Sequence, residues 1–460
     1  NQKIEPEKNK ERKDIYINQY IGFKDPKALT YQSKLILNDL DRDLYSSYLV
    51  QLNTPLNISK LPVSNQLMVR AFQYFVEKLK TMNLAKNGED IVDFIESILS
   101  NKLIFIQIVV DDSLSAYTVF ETLNARGVEL TTTDLIKNYL FSLLDSEIDI
   151  NNLHPRWNKI VDTVSYRRFP VFLRYFFNSQ QRMIRTERLF KEIKARIPSK
   201  DQVFNLLSEL ERYADIYVAL DDPDNELWHN NKNVRTMINE LLLFDAQQYK
   251  SLLLSVYFKM GQYFEDALRI VRALTFRYNV IGKLNPNRLE EAYNNVAIKV
   301  YNGEILTPQA IQQELNNVYI DDEIFKNSFS TIYFNTDKQR DKKLVRYILL
   351  SIENKNFHKD YHLFDTNATI EHIFPENYDN TAEKMSEVLI SRLGNLALLE
   401  ASLNRECSNK SFNEKKEIYL KSQYEMTRKL AEKTEWNADE IKNRQEQLAR
   451  IATSIWRFPY

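Results

Sequence analysis

The sequence predicts a mainly α protein with small α+β parts, and three observations carry that prediction. Only 7 glycines occur in 460 residues, against a usual share of about 7%, so tight β-turns are scarce. Good helix formers such as Leu, Lys and Glu are abundant beside 25 Phe and 26 Tyr, which supply a large apolar core. In the middle of the chain, apolar residues recur at helical spacing, as at Val203, Leu206, Leu207 and Leu210. The glycine shortage also removes any glycine-rich phosphate loop, which excludes Rossmann and P-loop architectures. A length of 460 residues suits two to three domains. Cys407 is the single cysteine, which argues against a disulfide framework and fits a reducing cytoplasm. The sequence has no run of 18 apolar residues and its N-terminus is charged, so a soluble, cytoplasmic protein without a membrane span is expected. The chain begins with Asn1 rather than methionine, pointing to a fragment, a processed product or an incompletely covered sequence.

In chain order, Leu103 to Val110 is a buried strand candidate. Two helical pieces around a turn follow, from Ala116 to Leu144. Phe120 and Leu123 share a face, Asn124, Arg126 and Gly127 close the turn, and Thr133 or a neighbour caps a helix on which Leu135, Tyr139 and Leu143 recur. Residues 151–335 read as a helical scaffold without repeats or a catalytic cluster, broken at Asp221–Asn225 and Gly282–Asn287. Within it, Ser165 to Lys200 holds ten basic and two acidic residues, a net of +8 in a chain of net charge −1. Phe169, Phe172, Tyr175, Phe176 and Phe177 are interleaved with those cations. Arg174, Arg182, Arg185, Arg188 and Lys191 are the candidate contacts to DNA phosphates. The alternative is a solvated helix face whose aromatic residues point inward.

The C-terminal region carries the chemistry. Thr369-Ile370-Glu371-His372-Ile373-Phe374-Pro375 reads as a short strand stopped by proline. Glu371 and His372 are adjacent, so a strand sends them to opposite faces. Asn395 to Leu399 reads as a second strand after a turn at Gly394. A polar loop with Asn404 and Asn409 follows, then a helix from Ser411 to about Leu420. The order is strand, strand, helix. His358 and His362 read as surface residues, and His154 and His229 as structural ones.

This pattern of Glu-His-Ile-x-Pro, Leu-Gly-Asn-Leu and Leu-Asn-x-x-x-Ser-Asn-x-x-Phe-x-x-Lys resembles the HNH nuclease superfamily with its ββα-metal fold. In particular, it resembles the C-terminal domain of GmrSD-type modification-dependent, type IV-like restriction endonucleases. The resemblance runs from about Asp365 to the end. It implies that His372 is a general base, that Asn395 orients it, and that Glu371 and Asn404 bind one Mg²⁺ or Mn²⁺ ion through oxygen. Asn409 and Lys415 are secondary candidates, the latter toward a phosphate. The Phe120-x-x-x-Asn124-x-x-Gly127-x-x-Leu130-x-x-x-Asp134-Leu135 block resembles the N-terminal domain of the same enzymes, a ParB- and sulfiredoxin-like nucleotide-hydrolysing module. Its Asp-Gly-Gln-Gln-Arg motif is absent; Ser179-Gln180-Gln181-Arg182 follows the block instead of preceding it and lies in a helical run. Asn124 and Arg126 remain as contacts to a nucleotide, with a nucleoside triphosphate expected for the full-length protein. Local satisfaction of both at a turn is the alternative.

The expected organisation is a partial ParB-like nucleotide-sensing domain at 1–150, a helical domain at 151–335 and an HNH-type nuclease domain at 336–460. The expected function is divalent-metal-dependent endonuclease cleavage of DNA, under nucleotide control and directed at modified phage DNA in antiviral defence. The alternative is a DNA-binding or regulatory scaffold whose nuclease fold is inactive, and RNA cleavage stays open. A homodimer also stays open, because one such site cuts one strand.

Overall fold

The computed structural model describes residues 5–27, 31–37, 39–53, 57–84, 88–104, 131–376 and 386–460. The chain divides into two compact units, residues 1–109 and 110–460.

In the first unit, α1 (Glu5–Tyr16) precedes an antiparallel pair, β1 (Gly22–Lys24) and β2 (Tyr31–Ser33), with Gly22 opposite Ser33. A longer helix, α2 (Val63–Thr81), buries Val69 against Leu44 and Tyr48 in a small core. Leu103 and Ile104 have no regular structure, and the rest of the expected strand lies outside the described residues. So does the block from Ala116 to Leu130 with Asn124 and Arg126.

The second unit is mainly helical, as the composition predicts. The helix after the N-terminal block spans Thr132–Ser142 and is capped by Thr131, whose hydroxyl accepts from Asp134 N. Its inward face is Ile136, Tyr139 and Leu140 rather than Leu135, Tyr139 and Leu143, a shift of about one position. Ser146 caps α3 (Glu147–Val164) by accepting from Asp149 N, and Trp157, Ile160, Val161 and Val164 fill its buried stripe. Next, α4 (Phe169–Asn178) buries Phe169, Phe172, Tyr175, Phe176 and Phe177, so the aromatic residues of the basic segment face the core. The Ser179–Arg182 stretch is a turn after this helix and not part of a helical run.

The expected periodic face of Val203, Leu206, Leu207 and Leu210 is buried along α5 (Lys200–Ala219), each such side chain contributing about 1.5–3 kcal/mol. Then come α6 (Lys232–Leu243) and α7 (Lys250–Lys259), the latter buried almost all round, as a central helix must be. The Gly282–Asn287 break ends where Asn285 caps α8 (Pro286–Tyr301). Leu344 to Ile352 of α9 (Gln339–Phe357) enter the core, and the helix stops at His358, whose φ of 53° is left-handed. Arg277, fully buried in this scaffold, is paired: it donates to Ile320 O at 2.7 Å and Asp322 Oδ1 at 2.7 Å.

Next, β3 (Ala368–His372) and β4 (Leu396–Glu400) pair antiparallel, from Ala368 opposite Glu400 to His372 opposite Leu396. The second strand begins one residue later than expected, because Asn395 closes a 3₁₀ turn over Leu393–Asn395. Both faces of the pair are covered. Ala368, Ile370, Leu396 and Leu398 join the main core, whereas Ala397 and Leu399 join a second, smaller core with Cys407, Ile418, Tyr419, Trp436 and Ile441. This strict alternation is the period of two expected of a strand. Where a polar loop was expected, α10 (Ala401–Cys407) is a helix. Leu403 and Cys407, four apart, pack onto the smaller core, and that packing overrides the turn-rich composition. Ser411 and Glu414 then form a capping box that starts α11 (Phe412–Tyr419). The chain ends on α12 (Ala438–Ile455).

Candidate active site

Four expected site residues gather around the end of β3. Glu371 is 4% exposed and lies on the smaller-core face. Its Oε1 sits 2.7 Å from Lys415 Nζ and accepts from Tyr419 OH at 3.2 Å. Burial pushes the Glu371 carboxyl up from its ordinary value, against the pull of Lys415. The same Lys415 ammonium donates to His372 O at 2.8 Å, so it ties the carboxylate to the backbone of the strand's last residue. Lys415 is thus an internal clamp rather than an exposed phosphate contact. Asn404, on α10, donates from Nδ2 to Thr369 Oγ1 at 2.8 Å and to Ile370 O at 2.9 Å. Both amide hydrogens are used on the strand, which fixes the direction of the Oδ1 oxygen.

His372 turns to the other face of β3, as its adjacency to Glu371 requires. Its Nε2 is buried and lies 3.0 Å from Glu376 Oε1, but off the axis a hydrogen bond needs, so the nitrogen has no hydrogen-bond partner. Burial, followed by the Lys415 charge, pulls the imidazole down to about 4, with Asp337 opposing and Lys342 adding. At neutral pH the ring is therefore uncharged.

Asn395 does not orient this ring, contrary to expectation. Its Oδ1 accepts from Phe374 N at 2.8 Å and Trp436 Nε1 at 3.0 Å, and its Nδ2 donates to Phe374 O and Ile390 O, both at 3.0 Å. It is fully buried and fully satisfied. What it holds is the backbone just after His372. Beside it, a Cβ on Gly394 would meet Ile441 O at 2.2 Å, so only glycine lets α12 approach the turn this closely. From α12, Arg444 Nη1 donates to Gly394 O at 2.7 Å and Leu396 O at 2.8 Å, and Gln445 accepts from Gly394 N at 3.0 Å. Residue spacing alone does not reveal Arg444, Gln445 or Tyr419 as part of this frame, since they lie far along the chain. Asn409 is an exposed turn residue without a role in the frame. Among the described residues, no three of His, Cys, Asp and Glu form a metal-holding group. Burial drives the Cys407 thiol up to about 12, so it stays protonated and is a poor ligand.

Two family models match the chain, "GmrSD restriction endonuclease, N-terminal domain" over residues 1–141 and "GmrSD restriction endonucleases, C-terminal domain" over residues 319–451. Together they span more than half of it, in the order of the two motif blocks. The chain belongs to the GmrSD restriction endonuclease family. A member of this family is a restriction nuclease that acts on DNA. A search of curated proteins found no match. No described helix is long and apolar enough to cross a membrane.

A GmrSD nuclease needs a surface for DNA, and the basic segment is one candidate. Arg182, Arg185, Arg188 and Lys191 are exposed and form no ion pair among the described residues. Arg174 differs. It is ion-paired with Glu290 and stacked 4.5 Å over Tyr175, because it points from α4 into the scaffold rather than into solvent.

Proposed function

We propose that residues 336–460 carry an HNH-type ββα nuclease that hydrolyses DNA phosphodiester bonds with a divalent metal. The observation that carries this reading is His372: a buried, uncharged imidazole with an unpartnered Nε2, set at the end of the strand that also presents Glu371 and contacts Asn404. A general base must be neutral, which burial favours here, and Nε2 offers its lone pair in the tautomer that carries the proton on Nδ1. The Glu371 carboxylate and the Oδ1 of Asn404 are hard oxygen donors, which fit Mg²⁺ or Mn²⁺ rather than a soft-ligand metal. Bound there, such an ion supplies positive charge against the phosphate and the departing oxygen. His372 takes the proton of the attacking water, and Asn395 keeps the chain after His372 in place. Lys415 holds the Glu371 side chain.

The wider reading keeps residues 1–150 as a ParB-like nucleotide-sensing part and 151–335 as a helical scaffold. Arg182, Arg185, Arg188 and Lys191 meet the DNA backbone. The substrate is modified phage DNA in the cytoplasm, with two copies needed for a double-strand break. A nucleoside triphosphate acts through the N-terminal part.

One observation favours a second reading, an inactive DNA-binding scaffold. Glu371 is already held by Lys415 and Tyr419, a closed network that leaves its Oε1 no capacity for a cation. Plasmid nicking with Mg²⁺ or Mn²⁺ separates the two. Cleavage that falls about 10²–10⁴-fold in His372→Ala supports the nuclease. Tight binding of plain and modified DNA with no metal-dependent cleavage supports the scaffold.

A further inference from the structure

A cavity lies away from Glu371 and His372, between the C-terminal end of α6, the first half of α9 and the segment leading into β3. Its volume is about 600 Å³, within the range of small-ligand sites. One wall is apolar, formed by Leu242, Leu243 and Phe364; the other carries Arg340, Lys343 and Arg346. Asp245 is the only acidic side chain in the lining, and it lies 3.8 Å from Arg340. Lys343 forms no ion pair among the described residues. The Nε of Arg346 is buried and has no hydrogen-bond partner. Burial lowers its guanidinium from the ordinary value, with Asp365 and Tyr424 only partly opposing. A partly buried guanidinium whose Nε makes no hydrogen bond within the protein keeps donor capacity for a ligand. A cavity lined by cations from α9 and by Phe364 and two leucines fits an anion that carries a flat apolar body.

We propose that this cavity binds a nucleoside phosphate, its phosphate on Lys343 and Arg346 and its base against Phe364, Leu242 and Leu243. Arginine and lysine recognise phosphate oxygens, and base faces stack on aromatic side chains. The ligand is either a free nucleotide or one unpaired unit of a DNA strand. Thr366 at the cavity and Glu371 are five residues apart, at most roughly 17 Å along the chain, so a strand held at one point is within reach of the other. Only the strand form of the proposal rests on the nuclease reading.

The test measures fluorescence anisotropy on the full chain in EDTA, so that binding is read without cleavage. The probes are an N-methylanthraniloyl-labelled ATP and a fluorescein-labelled ten-residue thymidine oligonucleotide. The variants are Lys343→Gln with Arg346→Gln, and separately Leu243→Trp, which fills the cavity. At least one probe should bind at least about tenfold more weakly to both variants. Loss confined to ATP identifies a free nucleotide; loss confined to the oligonucleotide identifies a strand unit. Arg346→Gln should leave the melting temperature within about 2 °C of wild type, because the side chain is only partly buried and its Nε makes no hydrogen bond. Failure of both probes to bind wild type, or binding within about twofold in both variants, overturns the proposal, and so does a fall of more than about 5 °C in Arg346→Gln. The assay runs in EDTA and reads no cleavage, whereas nicking tests the nuclease, so failure of either idea shows separately.

Discussion

Asn395 and Asn404 stand nine residues apart at the two ends of one short stretch, yet they meet opposite environments. Behind the hairpin, Asn395, Gly394, Arg444 and Gln445 use their polar groups on fixed backbone partners, and Asn395 spends its whole capacity that way. Around β3, Asn404 commits only its nitrogen, Glu371 is held on one face by the side chains of Lys415 and Tyr419, and His372 on the opposite face leaves Nε2 without a hydrogen bond. Buried polar groups are nearly always satisfied. Fully satisfied Asn395 thus reads as a folding residue, whereas the open Nε2 of His372 leaves a group that the proposed chemistry can use.

The sharpest way to break this contrast is to truncate one residue on each side. Asn395→Ala leaves Phe374 N and O, Ile390 O and Trp436 Nε1 without their partner, and should cost about 3–5 kcal/mol in denaturant unfolding. His372→Ala should leave stability within about 1 kcal/mol while lowering cleavage by about 10²–10⁴-fold. Equal losses of stability would erase the distinction between Asn395 and His372.

A pH titration refines the same contrast. The folded pKa of His372 falls to about 4, below an unfolded value of about 6.5, so the unfolded chain binds the proton more readily between those limits. Its contribution is intact above pH about 6.5 and is lost as pH falls toward about 4, a change on the order of 3 kcal/mol. His372→Gln should flatten that part of the stability profile; an unchanged slope would place the titration elsewhere. The smallest stability effect belongs to the exposed basic face. Reversing Arg182, Arg185 and Arg188 to Glu should move stability by less than about 0.5 kcal/mol. The salt dependence of DNA binding should flatten by about three units of log–log slope. An unaltered slope removes this face from the interface.

Much of this was legible in the sequence. The helical scaffold followed from scarce glycine and the Val203–Leu210 periodicity, and the β3–β4 hairpin from apolar runs bounded by Pro375 and Gly394. Adjacency placed Glu371 and His372 on opposite faces before any coordinates. What could not be read locally depends on distant partners. Lys415 passes for a surface cation until Glu371 is seen beside it, and Asn395 passes for a companion of His372 until Phe374 and Trp436 claim it. The run from Ala401 to Cys407 has the composition of a loop, and only the core beneath Leu403 and Cys407 makes it helical. The interleaving of aromatic and basic residues from Ser165 to Lys200 left two readings open, and the aromatic residues pack inward on α4, as the alternative held, while Arg182, Arg185, Arg188 and Lys191 stay in solvent.

The two-sided burial of the hairpin bears on how the cutting part could be transplanted. Ala368, Ile370, Leu396 and Leu398 are roofed by side chains that belong to the scaffold core. A fragment trimmed to the hairpin and the helices after it would therefore present a bare oily underside, and would be expected to clump rather than cut. Any chimera borrowing this chemistry should carry its roof along.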